Sequence, residues 1–279
     1  MTSTAAPVAT GRLAELDYCP PDSPAEVVLD VVTPTRGRKA ELIAQAERLG
    51  PQLLPQDRWI IVDDASKDGH VDLRALLHHL PNVDCLFFMA LSYRKPSIMP
   101  GSTVNRARHI ACSVARPEAW IVEVDDHDMV TPQCLDLIRA AICRGATFLY
   151  GDCVSCYPDG QPMPGSHYVK PEYRPWLLRD EMCPGEGVRA FPKFLYDAVG
   201  GYRWYGDREP GGNEFPAGDY GLFMRIEEFC EGQGFARIPE ILCTTVKDAW
   251  GITGQHGTQQ SEMAHKLRNA ALSGGLLRL

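Results

Sequence analysis

The stretch EVVLDVVTPTRGR, residues 26–38, carries the pattern that decides the fold. A run of β-branched residues passes abruptly into Thr, Pro, Arg and Gly, which is typical of a buried strand that empties into a loop. Residues 39–54, KAELIAQAERLGPQLL, then place apolar side chains at helical spacing before a Gly-Pro stop. The stretch DRWIIVDDASKDG, residues 57–69, repeats the strand pattern and ends in acids, Ser and Gly.

The same alternation continues toward the middle of the chain. It predicts helices over residues 71–80, 103–115 and 132–145, and strands over 83–91, 119–128 and 146–156. Short strands that are apolar throughout indicate a sheet covered on both faces, so we expect a doubly wound, mainly parallel, Rossmann-like α/β sheet. Ligands of such sheets bind beyond the carboxyl ends of the strands.

The second half of the chain is less regular than the first. From about residue 155 it is rich in Pro and Gly, with a helix predicted over 219–232 and a strand over 236–246. No linker is clear enough to divide the chain. We therefore predict a mobile lead-in over residues 1–25 and a single domain over 26–279, with halves at 26–154 and 155–279.

Composition narrows the class of protein. The 279 residues are 44% hydrophobic and 23% charged, as in soluble globular proteins. The net charge of −8 argues against a large non-specific phosphate-binding face. We find no signal-peptide pattern and no apolar run of roughly 18 to 20 residues that would span a bilayer. Ten cysteines, scattered apart from Cys153 and Cys156, favour buried thiols in a reducing cytoplasm over a zinc site.

The densest group of chemically active residues lies in AWIVEVDDHDMVTP, residues 119–132. A predicted strand ends there in four ligand-grade side chains, namely Asp125, Asp126, His127 and Asp128. Carboxylates can assist an anionic phosphate ligand only through a bridging divalent cation. No Gly-rich phosphate loop of the P-loop or dinucleotide-binding kind is present, so we expect a metal ion instead of backbone cradling. The alternative is an acidic loop without a ligand. The D-D-x-x-D pattern of prenyl synthases is excluded by Met129.

Five motifs in order carry a resemblance to a known family. VVTPTRGR, WIIVDDASKDG, NRARHIA, EVDDHDMVTPQCLD and GDYGLFMRI resemble the family 2 glycosyltransferases of GT-A fold, over roughly residues 27–230. The resemblance implies a hexosyltransferase that moves a sugar from a nucleotide-diphosphate sugar, with a UDP-sugar favoured, to an acceptor hydroxyl with inversion. It also implies that residues 26–154 bind the donor and 155–279 the acceptor.

The resemblance implies a donor pocket at the strand ends. Asp63 or its neighbour Asp64 would accept a hydrogen bond from the base. Arg108 would face the ribose or the phosphates, unless it is an ordinary solvated helix residue. The remaining nucleotide-sugar-binding residues implied are Thr33, Pro34, Thr35, Arg36, Asp125 and Asp126.

The resemblance also implies a metal site that begins at Asp125. His127 stands at the third position of the D-x-D element, as in the D-x-H variant of other GT-A enzymes. Because imidazole is a better ligand for Mn²⁺ than for Mg²⁺, Mn²⁺ is the favoured cofactor and Mg²⁺ the alternative. Asp126 and Asp128 remain open as ligands. His256, in a Gly-flanked loop, would be a further ligand or simply a surface residue.

The catalytic base implied by the resemblance is Asp219, just before a helix, where it would take the proton of the acceptor hydroxyl. Gly218 stands where relatives carry another acid, and a plain helix N-cap is the alternative for Asp219. Glu214 is the substitute candidate.

Other functions stay open from the sequence alone. One is a nucleotidyltransferase on a related α/β scaffold, and another is a nucleotide-sugar-binding protein without turnover. The acceptor would be a glycan, a protein or a small molecule. A modified base in DNA is less expected because the chain is acidic.

Overall fold

The computed structural model describes residues 18–66, 71–91, 102–157, 159–178, 187–202 and 218–247. The strands are β1 (Leu29–Thr35), β2 (Arg58–Asp63), β3 (Leu86–Ala90), β4 (Trp120–Glu123), β5 (Asp128–Val130), β6 (Phe148–Cys156), β7 (Pro162–Tyr168), β8 (Arg189–Pro192) and β9 (Phe235–Val246). The helices are α1 (Lys39–Leu49), α2 (Leu73–Leu77), α3 (Ser102–Ser113), α4 (Cys134–Cys143), α5 (Lys193–Ala198) and α6 (Gly218–Cys230). Short 3-10 turns cover Pro24–Glu26, Gly50–Gln52 and Val83–Cys85.

The strands of these described ranges form one sheet in the order β3-β2-β1-β4-β8-β6-β9-β5, with β7 beside β6. Neighbours among β1 to β4 are parallel, as the alternation of strands and helices predicts. Beyond them β8 runs antiparallel to both β4 and β6, and β5 runs antiparallel to β9. The predicted α/β fold is therefore confirmed, with a parallel first half and a mixed second half.

The two halves predicted from the sequence share this sheet. β8, from the second half, lies between β4 and β6 of the first, and β6 pairs in parallel with β9. The boundaries drawn at residues 25 and 154 stay predictions.

The core lies on both faces of the sheet because successive strand residues point in opposite directions. Val31 packs with the apolar faces of α1 and α4, whereas Val32, the next residue, packs with α3 and α6. Ile61 and Ile60 of β2 divide in the same way. Strands buried on both faces explain the continuous apolar runs in the sequence.

The end of α1 shows how the predicted Gly-Pro stop works. The helix ends at Leu49, and Gly50 opens a 3-10 turn. A Cβ atom at Gly50 would overlap the backbone carbonyl oxygen of His79, so only glycine permits this close approach.

Four elements were not predicted, namely β5, β7, β8 and α5. β5 is three residues long and lies inside the acidic run, where it pairs with β9. β8 contains a buried Arg189 and ends at Pro192, so its sequence lacks an apolar strand pattern. Pairing with neighbours distant in sequence creates both strands, and local propensity does not reveal such pairing.

Within the described ranges, no helix has the length and apolarity needed to cross a bilayer. The cysteines of the same ranges are all free thiols, and most of them are buried. The cytoplasmic location inferred from the cysteine pattern stays a prediction.

Candidate active site

The carboxyl ends of β1, β2 and β4 meet at one edge of the sheet. Thr35 pairs with Asp63 across β1 and β2, and Val32 pairs with Glu123 across β1 and β4. The amide of Asp64 donates to the carbonyl of Thr35 at 2.9 Å. The polar segments that follow these three strands, TPTRGR, VDDAS and VDDHD, therefore lie side by side, as expected for parallel neighbours.

Asp125 is held by Arg108 of α3. The Nη2 atom of Arg108 donates to both carboxylate oxygens of Asp125 at 2.6 Å. The two side chains are 9% and 18% exposed, so water screens the pair only weakly. Burial alone would raise the pKa of Asp125, but the charge of Arg108 holds that pKa well below its usual range. Asp125 therefore remains a carboxylate at this edge of the sheet.

The same guanidinium reaches the acid predicted to act as base. Nη1 of Arg108 lies 3.8 Å from Oδ2 of Asp219, in the first turn of α6. The other carboxylate oxygen of Asp219 accepts the amide of the next residue, Tyr220, at 2.9 Å. An N-cap side chain accepts an amide two or three residues further on, so this bond is not the usual capping bond. Asp219 is 20% exposed, so part of its carboxylate faces solvent. The structure thus brings together two acids that lie far apart in the sequence.

Asp126 forms the centre of a second group of contacts. Its Oδ2 accepts the hydroxyl of Thr35 at 3.0 Å, and its Oδ1 lies 3.6 Å from Nε of Arg38. Nδ1 of His127 lies 3.2 Å from the same Oδ1 atom. Arg38 was not predicted from the sequence, although its position just after the Thr-Pro-Thr strand end is a usable signal.

One ring nitrogen of His127 lies against a carboxylate. With Nδ1 directed at Asp126, the remaining ring nitrogen is Nε2, and the side chain is 31% exposed. Metal-ligating histidines commonly use one nitrogen for the metal and the other for a carboxylate. Burial would lower the pKa of His127, but the hydrogen bond to Asp126 and the neighbouring carboxylates raise it to about 9. A metal ion would therefore have to displace a proton from this ring.

Asp128 makes a different kind of contact. It is buried on β5, and its Oδ1 accepts the hydroxyl of Thr245 on β9 at 2.6 Å. Burial raises the pKa of Asp128, and the nearby charge of Asp125 adds to this effect. This bond joins β5 to β9 through their side chains.

The donor set fits a divalent cation in its chemistry. Asp125 and His127 supply carboxylate oxygen and imidazole nitrogen, which suit Mn²⁺. In the part of the chain that the structure describes, no group of three His, Cys, Asp or Glu side chains is disposed to hold a metal ion. His256 and Glu214 lie outside the described residues.

The predicted nucleotide-binding residues differ in their exposure. Thr33 is fully buried, and its hydroxyl accepts Nε1–H of Trp59 at 2.9 Å. Oδ1 of Asp63 accepts both the amide and the hydroxyl of Ser66, at 2.9 and 2.6 Å, and so shapes the turn after β2. Pro34 and Asp64 are buried, whereas Arg36 is half-buried. The structure therefore brings Thr35 and Arg36 to the edge of the sheet, but not the side chain of Thr33.

A second ionic layer lies beneath the acidic run. Glu123 of β4 is buried, 3.4 Å from Nη2 of Arg189, and it accepts the hydroxyl of Tyr202. None of these three residues was predicted from the sequence. The signal was Glu123 itself, an acid inside an otherwise apolar strand, because such a residue needs buried partners.

The family follows from a match over most of the sheet. The family model described as Glycosyl transferase family 2 matches residues 30–198, which is more than half of the chain. The chain belongs to glycosyl transferase family 2. This glycosyltransferase has no significant match among curated protein sequences.

Solved glycosyltransferase structures share the GT-A fold with this family 2 member. A mannosyltransferase from Pyrobaculum calidifontis, solved with GDP-Man and Mn²⁺, aligns with TM-score 0.57 at 15% identity over 95% of this chain and 70% of that chain. Glucosyl-3-phosphoglycerate synthase from Mycobacterium tuberculosis, solved with Mn²⁺, UDP and glucosyl-3-phosphoglycerate, aligns with TM-score 0.54 at 13% identity over 89% of this chain and 80% of that chain.

TarS from S. aureus gives a TM-score of 0.57 at 15% identity, over 80% of this chain and 37% of TarS. The chain thus spans little more than a third of TarS. These likenesses establish the fold.

Proposed function

We propose that this family 2 member is a metal-dependent, inverting hexosyltransferase that uses a nucleotide-diphosphate sugar, with a UDP-sugar favoured. One observation carries the proposal: Arg108 contacts Asp125 at 2.6 Å and Asp219 at 3.8 Å. The acid expected on the donor side and the acid expected on the acceptor side thus share one guanidinium. The related folds solved with GDP-Man or UDP and Mn²⁺ support the proposed donor class.

On the donor side, the residues at the carboxyl ends of the strands would have two roles, namely binding of the nucleoside and binding of the metal ion. Thr35 and Arg36 would contact the base and ribose, and Arg38 places a positive charge beside Asp126. Asp125 and His127 would hold Mn²⁺, or alternatively Mg²⁺. When bound, such an ion would supply positive charge against the leaving diphosphate.

On the acceptor side, Asp219 would act as general base. The acceptor oxygen forms a bond to the anomeric carbon, the bond from that carbon to the diphosphate oxygen breaks, and the hydroxyl proton passes to Asp219. Arg108 would orient the carboxylate of Asp219, because its Nη1 atom lies 3.8 Å from Oδ2 of that carboxylate. A single displacement of this kind inverts the configuration. We propose a glycan or small-molecule acceptor, since the net charge of −8 disfavours nucleic acid.

A donor panel tests the proposal before an acceptor is known. UDP-Glc, UDP-Gal, UDP-GlcNAc and GDP-Man are incubated with Mn²⁺, with Mg²⁺ and with EDTA, and slow release of nucleoside diphosphate is measured. We expect release that depends on the metal, prefers a UDP-sugar and is lost in His127→Ala. The matched control is Asp136→Asn, which removes an exposed acid on α4. Release of pyrophosphate, or tight binding without turnover, would each contradict the proposal.

A further inference from the structure

A buried chain of hydrogen bonds connects α6 with the strand that carries the acidic run. It begins at Arg225, which is fully buried in the middle of α6. Nε of Arg225 donates to the carbonyl of Val199 at 3.3 Å, and Nη2 donates to the carbonyl of Gly201. The helix is thereby fastened to the segment that follows α5.

The series of hydrogen bonds continues at Tyr202, the residue that follows Gly201. Tyr202, which is buried, donates its hydroxyl to Oε1 of Glu123. Glu123 ends β4, two positions before Asp125. The phenol hydroxyl is the donor of this bond and the carboxylate oxygen is the acceptor.

These contacts resist displacement. A buried guanidinium or carboxylate that loses one hydrogen-bond partner destabilises the fold, because water does not reach it to replace the lost bond. Arg225 and Glu123 are both buried, so neither can exchange its partner for bulk water. Asp219 precedes Arg225 by six positions on the same helix, about 9 Å along the axis. This series of hydrogen bonds thus fixes the first turn of α6 relative to β4.

We infer that Tyr202 and Arg225 are positioning residues, which hold Asp219 at the correct distance from Asp125 through the bonds to Glu123 and to the segment 199–201. This inference rests on the proposed function of Asp219 as general base. Neither residue touches a reacting atom. A base must lie within hydrogen-bond reach of the proton it removes, and a misplacement of about 1 Å can lower a rate by about a hundredfold.

Tyr202→Phe tests the inference because it keeps the ring and removes only the hydroxyl. The matched control is Tyr150→Phe. Tyr150 is also a buried tyrosine, and its hydroxyl donates to the carbonyl of Pro171 at 2.9 Å, which is not one of the hydrogen bonds between Arg225 and Glu123. Each variant is made alone and in the Asp219→Asn background. Transfer rate, donor KM and melting temperature are measured on the same samples.

We expect Tyr202→Phe to lower kcat by at least about tenfold, with the donor KM unchanged within about twofold. In the Asp219→Asn background the same substitution should have less than about a twofold effect, because the base through which it acts is already lost. Tyr150→Phe should leave kcat unchanged. An equal loss of rate with and without Asp219, or an equal loss in Tyr150→Phe, would overturn the inference.

A crystal structure of Tyr202→Phe provides a readout that does not depend on activity. The distance between Nη1 of Arg108 and Oδ2 of Asp219, now 3.8 Å, should increase by about 1 Å or more, and an unchanged distance would overturn the inference. If the wild-type protein transfers no sugar, the proposed function fails, but this distance still decides the positioning. If Tyr202→Phe does not fold, Glu123→Gln takes its place, because it keeps an acceptor for Tyr202 and weakens the bond by removing the charge.

Discussion

Nη2 of Arg108 lies 2.6 Å from each carboxylate oxygen of Asp125, although one residue belongs to α3 and the other follows β4. Nη1 of the same side chain faces Asp219 at 3.8 Å. A planar guanidinium presents several donors in a fixed fork, which an ammonium group cannot reproduce. Arg108 therefore sets the spacing of the two acids that the proposed reaction needs.

Arg108→Lys keeps the charge but removes the fork. We expect the transfer rate to fall at least about tenfold, because one ammonium cannot hold both Asp125 and Asp219. Arg144→Lys, at the end of α4 and outside the site, is the matched control. The measurement is kcat with the best donor of the panel. Normal kcat in Arg108→Lys would show that the positive charge alone suffices.

Asp126 and Asp128 should differ in their effects on metal binding. Asp126→Asn weakens the contact that orients His127, so we expect Mn²⁺ affinity to fall about 10- to 100-fold. Asp128→Asn should instead lower the melting temperature, because it disturbs the bond to Thr245, with little change in affinity. Titration of Mn²⁺ by electron paramagnetic resonance measures the affinity. A greater loss of affinity in Asp128→Asn would reverse the two assignments.

His127→Ala removes the imidazole itself. We expect Mn²⁺-dependent binding of UDP to weaken by at least about tenfold, which is the scale of losing one supported ligand. Calorimetric titration of UDP with and without Mn²⁺ measures this effect. Equal UDP binding in the presence of EDTA would contradict a metal site at this position.

Asp30 should make stability depend on acid pH. Burial would raise the pKa of Asp30, but hydrogen bonds from Arg58 and Arg116 lower it overall. Its contribution to the free energy of unfolding is therefore present above about pH 4 and is lost as the pH falls through the lowered pKa of the folded state. We expect Asp30→Asn to be less stable by about 1 to 3 kcal/mol at pH 7, with a smaller difference at lower pH.

Urea denaturation of the parent and of Asp30→Asn between pH 7 and pH 3 measures that difference. Asp136→Asn, which removes an exposed acid, should leave the parent curve nearly unchanged. A difference between Asp30→Asn and the parent that stays constant across this range would show that packing, not ionisation, is responsible.

The sequence predicts most of the fold and the place of the site, because both depend on local patterns. Apolar runs define β1, β2 and β4, and the polar residues after them must meet at one edge of a parallel sheet. These patterns predict that Arg36, Asp125 and His127 lie near that edge.

The remaining features depend on contacts between distant segments. Thr33 lies beside Trp59, and Asp128 lies beside Thr245, so side chains that look available in the sequence are already used. The link from Tyr202 to Glu123 also joins residues 79 positions apart. Local sequence patterns do not predict such contacts, which form only when distant segments pair in the sheet.

The central claim is that Asp219 removes the acceptor proton, and Asp219→Asn tests it most directly. Asparagine keeps the size and most of the capping capacity of the side chain, but it cannot take a proton. Melting temperature, UDP binding and transfer rate are measured on one sample, with Glu214→Gln as the comparison. The account predicts a folded variant with normal UDP binding and a rate lower by about 10² to 10⁴. Near-normal transfer with a loss of about 1 kcal/mol of stability would contradict it, and would leave Asp219 as a helix cap and Glu214 as the base.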